Sequence, residues 1–465
     1  MNVPDRFPGY LAATAMGVYL LLIVGAATAV TDAAATCTAW PACGNGYALP
    51  ASTLGWVAFG HRVAAVVVGL LVVATTVLAW RRGESRRVRY ALLAAILLYP
   101  AQAGLGAFVA TVGASPRTSA VHLAAGIAIF AAELAALGWW LEAETGSPDD
   151  VPDGEPTMDE DLSPATSTGT VPDAFVPRLQ ATVAAYWRMM KPRLMWLLCL
   201  VAAAAMALAG GPAFTVETVA TTLLAGCLSI GASGTFNHVL ERDVDRRMQR
   251  TSDRPLAVDL VPVRNAVAFG LLLTAVSVGL FWSINFLAAV LGATAIAFYS
   301  IVYTLVLKPN TVQNTVLGGA AGALPALIGW AAVTGDIGVG GLLLATLIFL
   351  WTPAHFYNLA LAYKDDYERG GFPMMPVVRG ETTTRRHILW YLGATLVAAA
   401  VLAAVSDALG VLYVVVGVGL GAVFLWAVVQ LHYERTESAA FRAFQASNAY
   451  LGLLLLAVVF DSVLL

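Results

Sequence analysis

Charge is what this sequence has least of: of 465 residues only 12% are Asp, Glu, Lys or Arg, while 59% are hydrophobic. Mean hydropathy is +0.76. That composition lies outside the soluble globular range and needs a bilayer to cover its surface, so the chain reads as an integral membrane protein. A net charge of −3 decides little by itself, because Lys and Arg crowd into a few loops while ten acids sit in one stretch, and no nucleic acid partner is expected. Cysteine is scarce too. Cys37, Cys43, Cys199 and Cys227 are too few for a disulfide framework, but Cys37 and Cys43 share one short polar loop and could bridge there. The first apolar stretch has no small-residue cleavage site behind it, so an uncleaved first helix is expected in place of a signal peptide.

What is present is a series of long apolar runs. They fall near 9–30, 54–80, 89–112 and 119–141, then near 194–210, 216–236, 265–283, 286–306, 315–333, 339–361, 388–405, 408–430 and 447–464. The expected fold is an all-α polytopic membrane protein of about thirteen transmembrane helices, four and then nine. Between the groups, residues 142–177 hold ten acids and no Lys or Arg, with many Pro, Ser, Thr and Gly, and cannot bury enough apolar surface to order themselves. The expected division is a membrane domain at 1–141, an acidic disordered linker and lead-in at 142–184, and a second membrane domain at 185–465. Lys and Arg crowd into alternate loops, beginning with "RRGESRRVR" at 81–89. The positive-inside rule then expects the N-terminus and linker in the cytoplasm and the C-terminus outside.

One stretch breaks the apolar pattern. In "NHVLERDVDRRMQRTSDRPL", 237–256, nine of the fourteen residues from Glu241 to Arg254 are charged. Asn237, Glu241 and Asp245 recur every four residues, drift about 40° per step and so share one helix face at the end of a span. An amide oxygen and two carboxylates are hard ligands suited to Mg²⁺, which shares its coordination sphere with substrate phosphates. The alternative is a solvated loop whose acids pair with Arg242, Arg246 and Arg247. A second stretch on the same face, "YKDDYERGGFPMMPVVRG" at 363–380, offers Asp365 and Asp366 beside Lys364. Tyr303 and Lys308 lie at that edge as well, and Arg250 and Arg254 add cations for phosphate oxygens. Two acidic arms over a greasy cavity suit ionisation of an allylic diphosphate, with cations stabilising the leaving group and apolar helices excluding water. The reaction class is prenyl transfer.

Residues from about 185 to 465 resemble the UbiA superfamily of intramembrane prenyltransferases, in its heme-farnesylating branch. The resemblance rests on the 237–256 stretch, "YTLVLKPNTVQNTVLGGAAGALPALIGWAAVTG" at 303–335 and "WTPAHFYNLALAYKDDYERGGFPMMPVVRG" at 351–380. It implies nine helices. It also implies attack by a vinyl group of heme B on farnesyl diphosphate, and water completing a hydroxyethylfarnesyl heme of the kind used by cytochrome oxidases. Asn237, Glu241 and Asp245 match the superfamily's first metal motif, and Asp365 and Asp366 fall where the second belongs, although its acids are often spaced four apart. On this reading His238 and His355 are candidate heme contacts. A quinone precursor or a lipid alcohol is the alternative acceptor.

In the first four helices, His61 and His122 lie at similar depth and could ligate a heme iron from both sides, with Arg62 or Arg117 near enough for its propionates. Two hydrogen-bonded core histidines are the alternative. This region resembles one half of the heme A synthase family, through "GAATAVTDAAATCTAWPAC", His61–Arg62, "QAGLGAFVAT" and "HLAAG". The resemblance implies heme binding or oxidation of heme O towards heme A, with Cys37 and Cys43 as a redox-active or disulfide pair. Where many members carry an acid one turn before the first histidine, this chain has Ala58. With only four helices of an eight-helix family, a homodimer through this domain is a further expectation.

Overall fold

The computed structural model describes residues 6–30, 33–37, 39–43, 49–147 and 174–464. The elements in chain order are α1 (Phe7–Val30), α2 (Thr53–Arg81), α3 (Arg86–Val112), α4 (Pro116–Thr145), α5 (Phe175–Met189), α6 (Pro192–Ala209), α7 (Val216–Leu240) and α8 (Arg242–Asp245). Then come α9 (Val263–Ile284), α10 (Phe286–Ala297) running into a π-helical stretch at Phe298–Leu307, α11 (Lys308–Asn310), α12 (Asn314–Thr334), α13 (Val339–Ala362), α14 (Lys364–Arg369) and α15 (Met375–Arg379). The chain closes with α16 (Glu381–Val405), α17 (Val411–Glu434) and α18 (Glu437–Leu464). No strand occurs among the described residues. Thirteen helical segments, one of them α5 and α6 together, are long and apolar enough to cross a bilayer. Local chemistry marks where they begin. Ser52, Ser115, Thr215 and Asn285 cap α2, α4, α7 and α10 by accepting from a backbone N–H three residues on.

Of the acidic linker expected at 142–184, residues 148–173 lie outside the described residues. Its two ends depart from the expected disorder, because α4 continues to Thr145 and α5 begins at Phe175. The last acid of the run is Asp173, and beyond it the sequence becomes amphipathic. Ala185 and Met189 pack with Leu256, Val261 and Ala266, and Tyr186 meets Phe269 edge-on at 4.9 Å.

Compactness divides the chain differently from its sequence pattern. One unit joins residues 1–147 to 385–465, and the other holds 148–384. In the first, α1 packs against α2, α4 and α17. Arg386 pairs with Glu142 at 2.5 Å, Arg435 donates to the carbonyl of Thr145 at the end of α4, and Asp461 caps α17 by accepting from the Gly410 and Tyr413 N–H groups.

In the second unit α12 is central, in contact with α6, α7, α10 and α13. Its approach to α6 needs a glycine: a Cβ at Gly329 would stand 2.3 Å from the carbonyl oxygen of Ala202. Helix backbones meet this closely in membranes where small residues permit it. Gly329→Ala is therefore expected to lower the melting temperature in detergent, with a cost of about 1–3 kcal/mol typical of overpacking, and Gly329→Val to lower it further. Equal melting of all three proteins would disprove the tight crossing.

Candidate active site

The charged stretch after α7 keeps its helical register. The Glu241 N–H donates to the Asn237 carbonyl at 2.9 Å and the Asp245 N–H to the Glu241 carbonyl at 2.8 Å, so the three side chains follow one another down one face through α8. All three are buried. Each meets a cation. Lys191 Nζ donates to Asn237 Oδ1, Lys308 Nζ to Glu241 Oε1 at 2.5 Å, and Arg254 Nη1 to both Asp245 oxygens at 2.8 Å while standing 3.6 Å from Glu241. The surface-loop alternative is realised elsewhere, in Asp243, which is exposed and pairs with Arg242 and Arg246. Arg246 also binds Asp259.

The electrostatics follow from burial and these partners. Burial works to raise the Glu241 carboxyl, but Lys308, Lys191 and Arg254 outweigh it and hold the group below the ordinary glutamate range. For Asp245 burial prevails over the attraction of Arg254 and leaves the carboxyl above its usual value. Arg254 is disfavoured by burial, yet Asp245 and Glu241 raise it above the ordinary arginine value.

Lys191 is the residue the sequence reading passed over. It sits between α5 and α6 in a left-handed conformation, φ 55°, just before Pro192. A residue preceding proline is disfavoured in the right-handed helical region, so α5 stops there and the lysine turns inward. Gly234 makes room, since a Cβ there would lie 2.6 Å from the Met189 carbonyl oxygen and 3.2 Å from Lys191 Cγ. Lys191 also donates to Tyr299 Oη at 3.2 Å, and Asn237 Nδ2 donates to Thr304 Oγ1 at 3.3 Å. Tyr299 and Thr304 both come from the π-helical stretch, and insertions of this kind are frequent at functional sites. One signal was present in the sequence: the chain has three lysines, Lys191, Lys308 and Lys364, and two of them meet on this one helix face.

The other expected residues are placed as follows. Asp366 is buried and accepts from the N–H groups of Gln249 and Arg250 at 2.7 and 3.3 Å, fastening α14 to the loop that follows the first motif. Asp365 is exposed. Arg250 lies over the rings of Tyr363 and Tyr367 at 5.1 and 5.6 Å, and Lys364 pairs with Glu381 at 3.4 Å. Tyr303 packs against Tyr299, with ring centroids 5.5 Å apart. His238 is buried with Nδ1 unpartnered, and His355 stacks on Trp351 at 4.2 Å. Near these groups is a cavity of about 90 Å³ walled by Leu198, Cys199, Ala202, Leu223 and Ile328, and Lys191 and Tyr299 also line it.

The donor set fits Mg²⁺ of the kind that shares its ligands with a diphosphate. One amide and two carboxylate side chains follow one another on one helix face, the hard oxygen donors such an ion takes.

The first unit carries a second candidate site. His61 and His122 each leave Nδ1 buried without a partner, and His122 Nε2 lies 3.4 Å from Gln102 Nε2. Glycines face both rings: a Cβ at Gly25 would stand 3.2 Å from His61 Cε1, and one at Gly106 3.3 Å from His122 Cε1. Cys37 and Cys43 are disulfide-bonded. Arg62 is turned away from the role of a propionate partner, because its guanidinium donates to the carbonyls of Cys37, Ala39, Pro41 and Ala42 and so organises the disulfide loop.

Comparison with known proteins agrees with both halves. Residues 197–454 match the UbiA prenyltransferase family and residues 50–166 the COX15-CtaA family of cytochrome oxidase assembly proteins. The protoheme IX farnesyltransferase of Haloquadratum walsbyi is 61% identical over 99% of this chain and 97% of its own length. That of Haloarcula marismortui is 62% identical over 99% of each. A solved structure of a digeranylgeranylglyceryl phosphate synthase shares the fold over 61% of this chain and 100% of its own, with a TM-score of 0.52 at 13% identity. The chain therefore belongs to the UbiA prenyltransferase family and, within it, groups with the protoheme IX farnesyltransferases.

Proposed function

We propose that this chain transfers the farnesyl group of farnesyl diphosphate to a vinyl group of heme B, giving heme O. The observation that carries the reading is the face formed by Asn237, Glu241 and Asp245, with a cation on each, beside an apolar cavity. Asn237, Glu241 and Asp245 would hold Mg²⁺, which supplies charge neutralisation for the leaving diphosphate. Lys191, Lys308 and Arg254 can donate to the diphosphate oxygens, and Arg250 and Lys364 extend the cationic rim. As the allylic C–O bond breaks, its electron pair leaves with diphosphate. The vinyl π electrons form the new C–C bond, water adds to the resulting cation beside the porphyrin, and a proton is released. The cavity wall keeps water from the farnesyl cation before that. Asp365 and Asp366 form the second arm, with Asp366 setting the loop that carries Arg250. Tyr303, His238 and His355 would serve as wall and heme contacts. The site faces the cytoplasm, with the N-terminus on the same side and the C-terminus outside.

The N-terminal bundle, on this proposal, would hold a heme through His61 and His122 and would receive the farnesylated heme. The first four helices and the site at the end of α7 would carry these two activities separately, and a homodimer through the N-terminal domain belongs to the same proposal.

The test supplies the purified full chain in lipid with heme B, farnesyl diphosphate and Mg²⁺, and weighs the extracted hemes. A heme enlarged by farnesyl and water is expected, and a formyl derivative would extend the reading to heme A synthesis. Lys191→Met is expected to lower the rate by about 10²-fold, as for loss of one oxyanion donor. Prenylation of a quinone precursor or lipid alcohol with heme B unchanged would overturn the acceptor.

A further inference from the structure

Cys227 has no role described so far and Cys199 enters only as part of the cavity wall, yet their sulfurs are 3.4 Å apart between α6 and α7. Both thiols are free and partly exposed, and Cys199 also stands 4.0 Å from the Leu223 carbonyl oxygen. A disulfide has its sulfurs about 2.05 Å apart, so closure needs a shift of about 1.4 Å. The surroundings supply access: Cys199, Thr222, Leu223 and Gly226 all line the cavity beside Lys191. The position is equally telling. Cys199 is eight residues beyond Lys191 on α6, and Cys227 ten before Asn237 on α7, so the thiols join the two helices whose ends meet in the Lys191–Asn237 hydrogen bond.

We propose that Cys199 and Cys227 form an oxidisable dithiol that senses peroxide and clamps the wall of the prenyl cavity. Peroxide entering the cavity oxidises the Cys199 sulfur to a sulfenic acid as its O–O bond breaks and one water leaves. The Cys227 sulfur then attacks, the S–O bond breaks, the S–S bond forms, and the hydroxide departs as water with the thiol proton. Two thiols and one peroxide thus give one disulfide and two waters. Thiols buried in apolar surroundings are poor nucleophiles as isolated groups, and here contact between the two sulfurs makes the second step intramolecular. The bridge draws α6 and α7 together and shifts Lys191 against Asn237. This consequence for turnover rests on the proposed farnesyl transfer, whereas the pairing itself does not.

The experiment treats the full chain in lipid with hydrogen peroxide, blocks remaining thiols with N-ethylmaleimide, and analyses the digest by mass spectrometry alongside farnesyl transfer. A linked Cys199–Cys227 peptide that dithiothreitol releases is expected. Turnover should fall about tenfold or more and return on reduction, since a displacement near 1 Å can cost up to about 10²-fold. Cys227→Ala, which removes the resolving thiol at a position outside the cavity lining, should keep its turnover under the same peroxide. Absence of the linked peptide would overturn the dithiol, and a linked peptide with unchanged turnover would overturn the clamp. A wild-type protein inactive before oxidation would count against the proposed function alone, because the peptide still reports on the pairing.

Discussion

Asp245→Asn is expected to reduce farnesyl transfer by about 10²–10³-fold, the scale of losing one electrostatic stabiliser of a departing anion. The substitution keeps size and shape, but it turns one carboxylate of the proposed metal face into an amide and removes half of the negative charge where three cations meet two carboxylates. Arg254, with 18% of its side chain exposed, loses its bidentate partner and keeps only Glu241 at 3.6 Å. Breaking a fully buried ion pair costs about 3–5 kcal/mol, and the partial exposure of Arg254 places this one below that range. A melting curve must therefore accompany the rate. Asp243→Asn is the control: its side chain is 72% exposed and its partners are surface arginines, so both turnover and melting should stay near wild type. If folded Asp245→Asn matched wild-type turnover at every Mg²⁺ concentration, the metal face would be assigned to the wrong residues.

That contrast also measures how much the sequence disclosed. Thirteen spans could be read because a helix that crosses a bilayer needs about 20 apolar residues in a row, and such runs need no partner to be recognised. Asn237, Glu241 and Asp245 could be grouped because a four-residue spacing is itself a geometric statement about one helix face. Which cation meets which oxygen could not. Lys191 reaches Asn237 across 46 residues and Lys308 reaches Glu241 across 67, and both depend on backbone events: the left-handed turn at Lys191 and the π-helical stretch that ends at Leu307. Asp366 shows another limit of spacing arguments. Spacing groups it with Asp365, but it does not show that its carboxylate also accepts from backbone N–H groups of a loop more than 100 residues away. The end of the linker was hidden for a different reason. Ten acids dominate the composition of 142–177, and the amphipathic pattern of α5 begins only as that run stops.

His61→Ala and His122→Ala should each abolish the low-spin absorption of the heme proposed for the N-terminal bundle, while leaving farnesyl transfer within about twofold, the tolerance expected of independent sites. An iron ligated from both sides loses that spectrum when either imidazole is removed, so the two variants should look alike. Their surroundings support the pairing. Each ring lies within the first compact unit with its Nδ1 buried and unpartnered, and Gly25 and Gly106 leave space against the ring edges that an alanine would tighten to about 3.2–3.3 Å. Gly25→Val and Gly106→Val thus offer a second, steric route to the same loss without touching a nitrogen. Two core histidines serving only the packing would behave otherwise: no heme spectrum in the wild type, and a lower melting temperature as the main effect of either alanine. Arg62 separates the iron from the loop above it. Its four carbonyl contacts hold the segment containing the Cys37–Cys43 disulfide, so Arg62→Met should loosen that loop, seen as faster reduction of the disulfide, before it alters the heme spectrum. Loss of the spectrum at unchanged reduction rate would instead return Arg62 to the propionates.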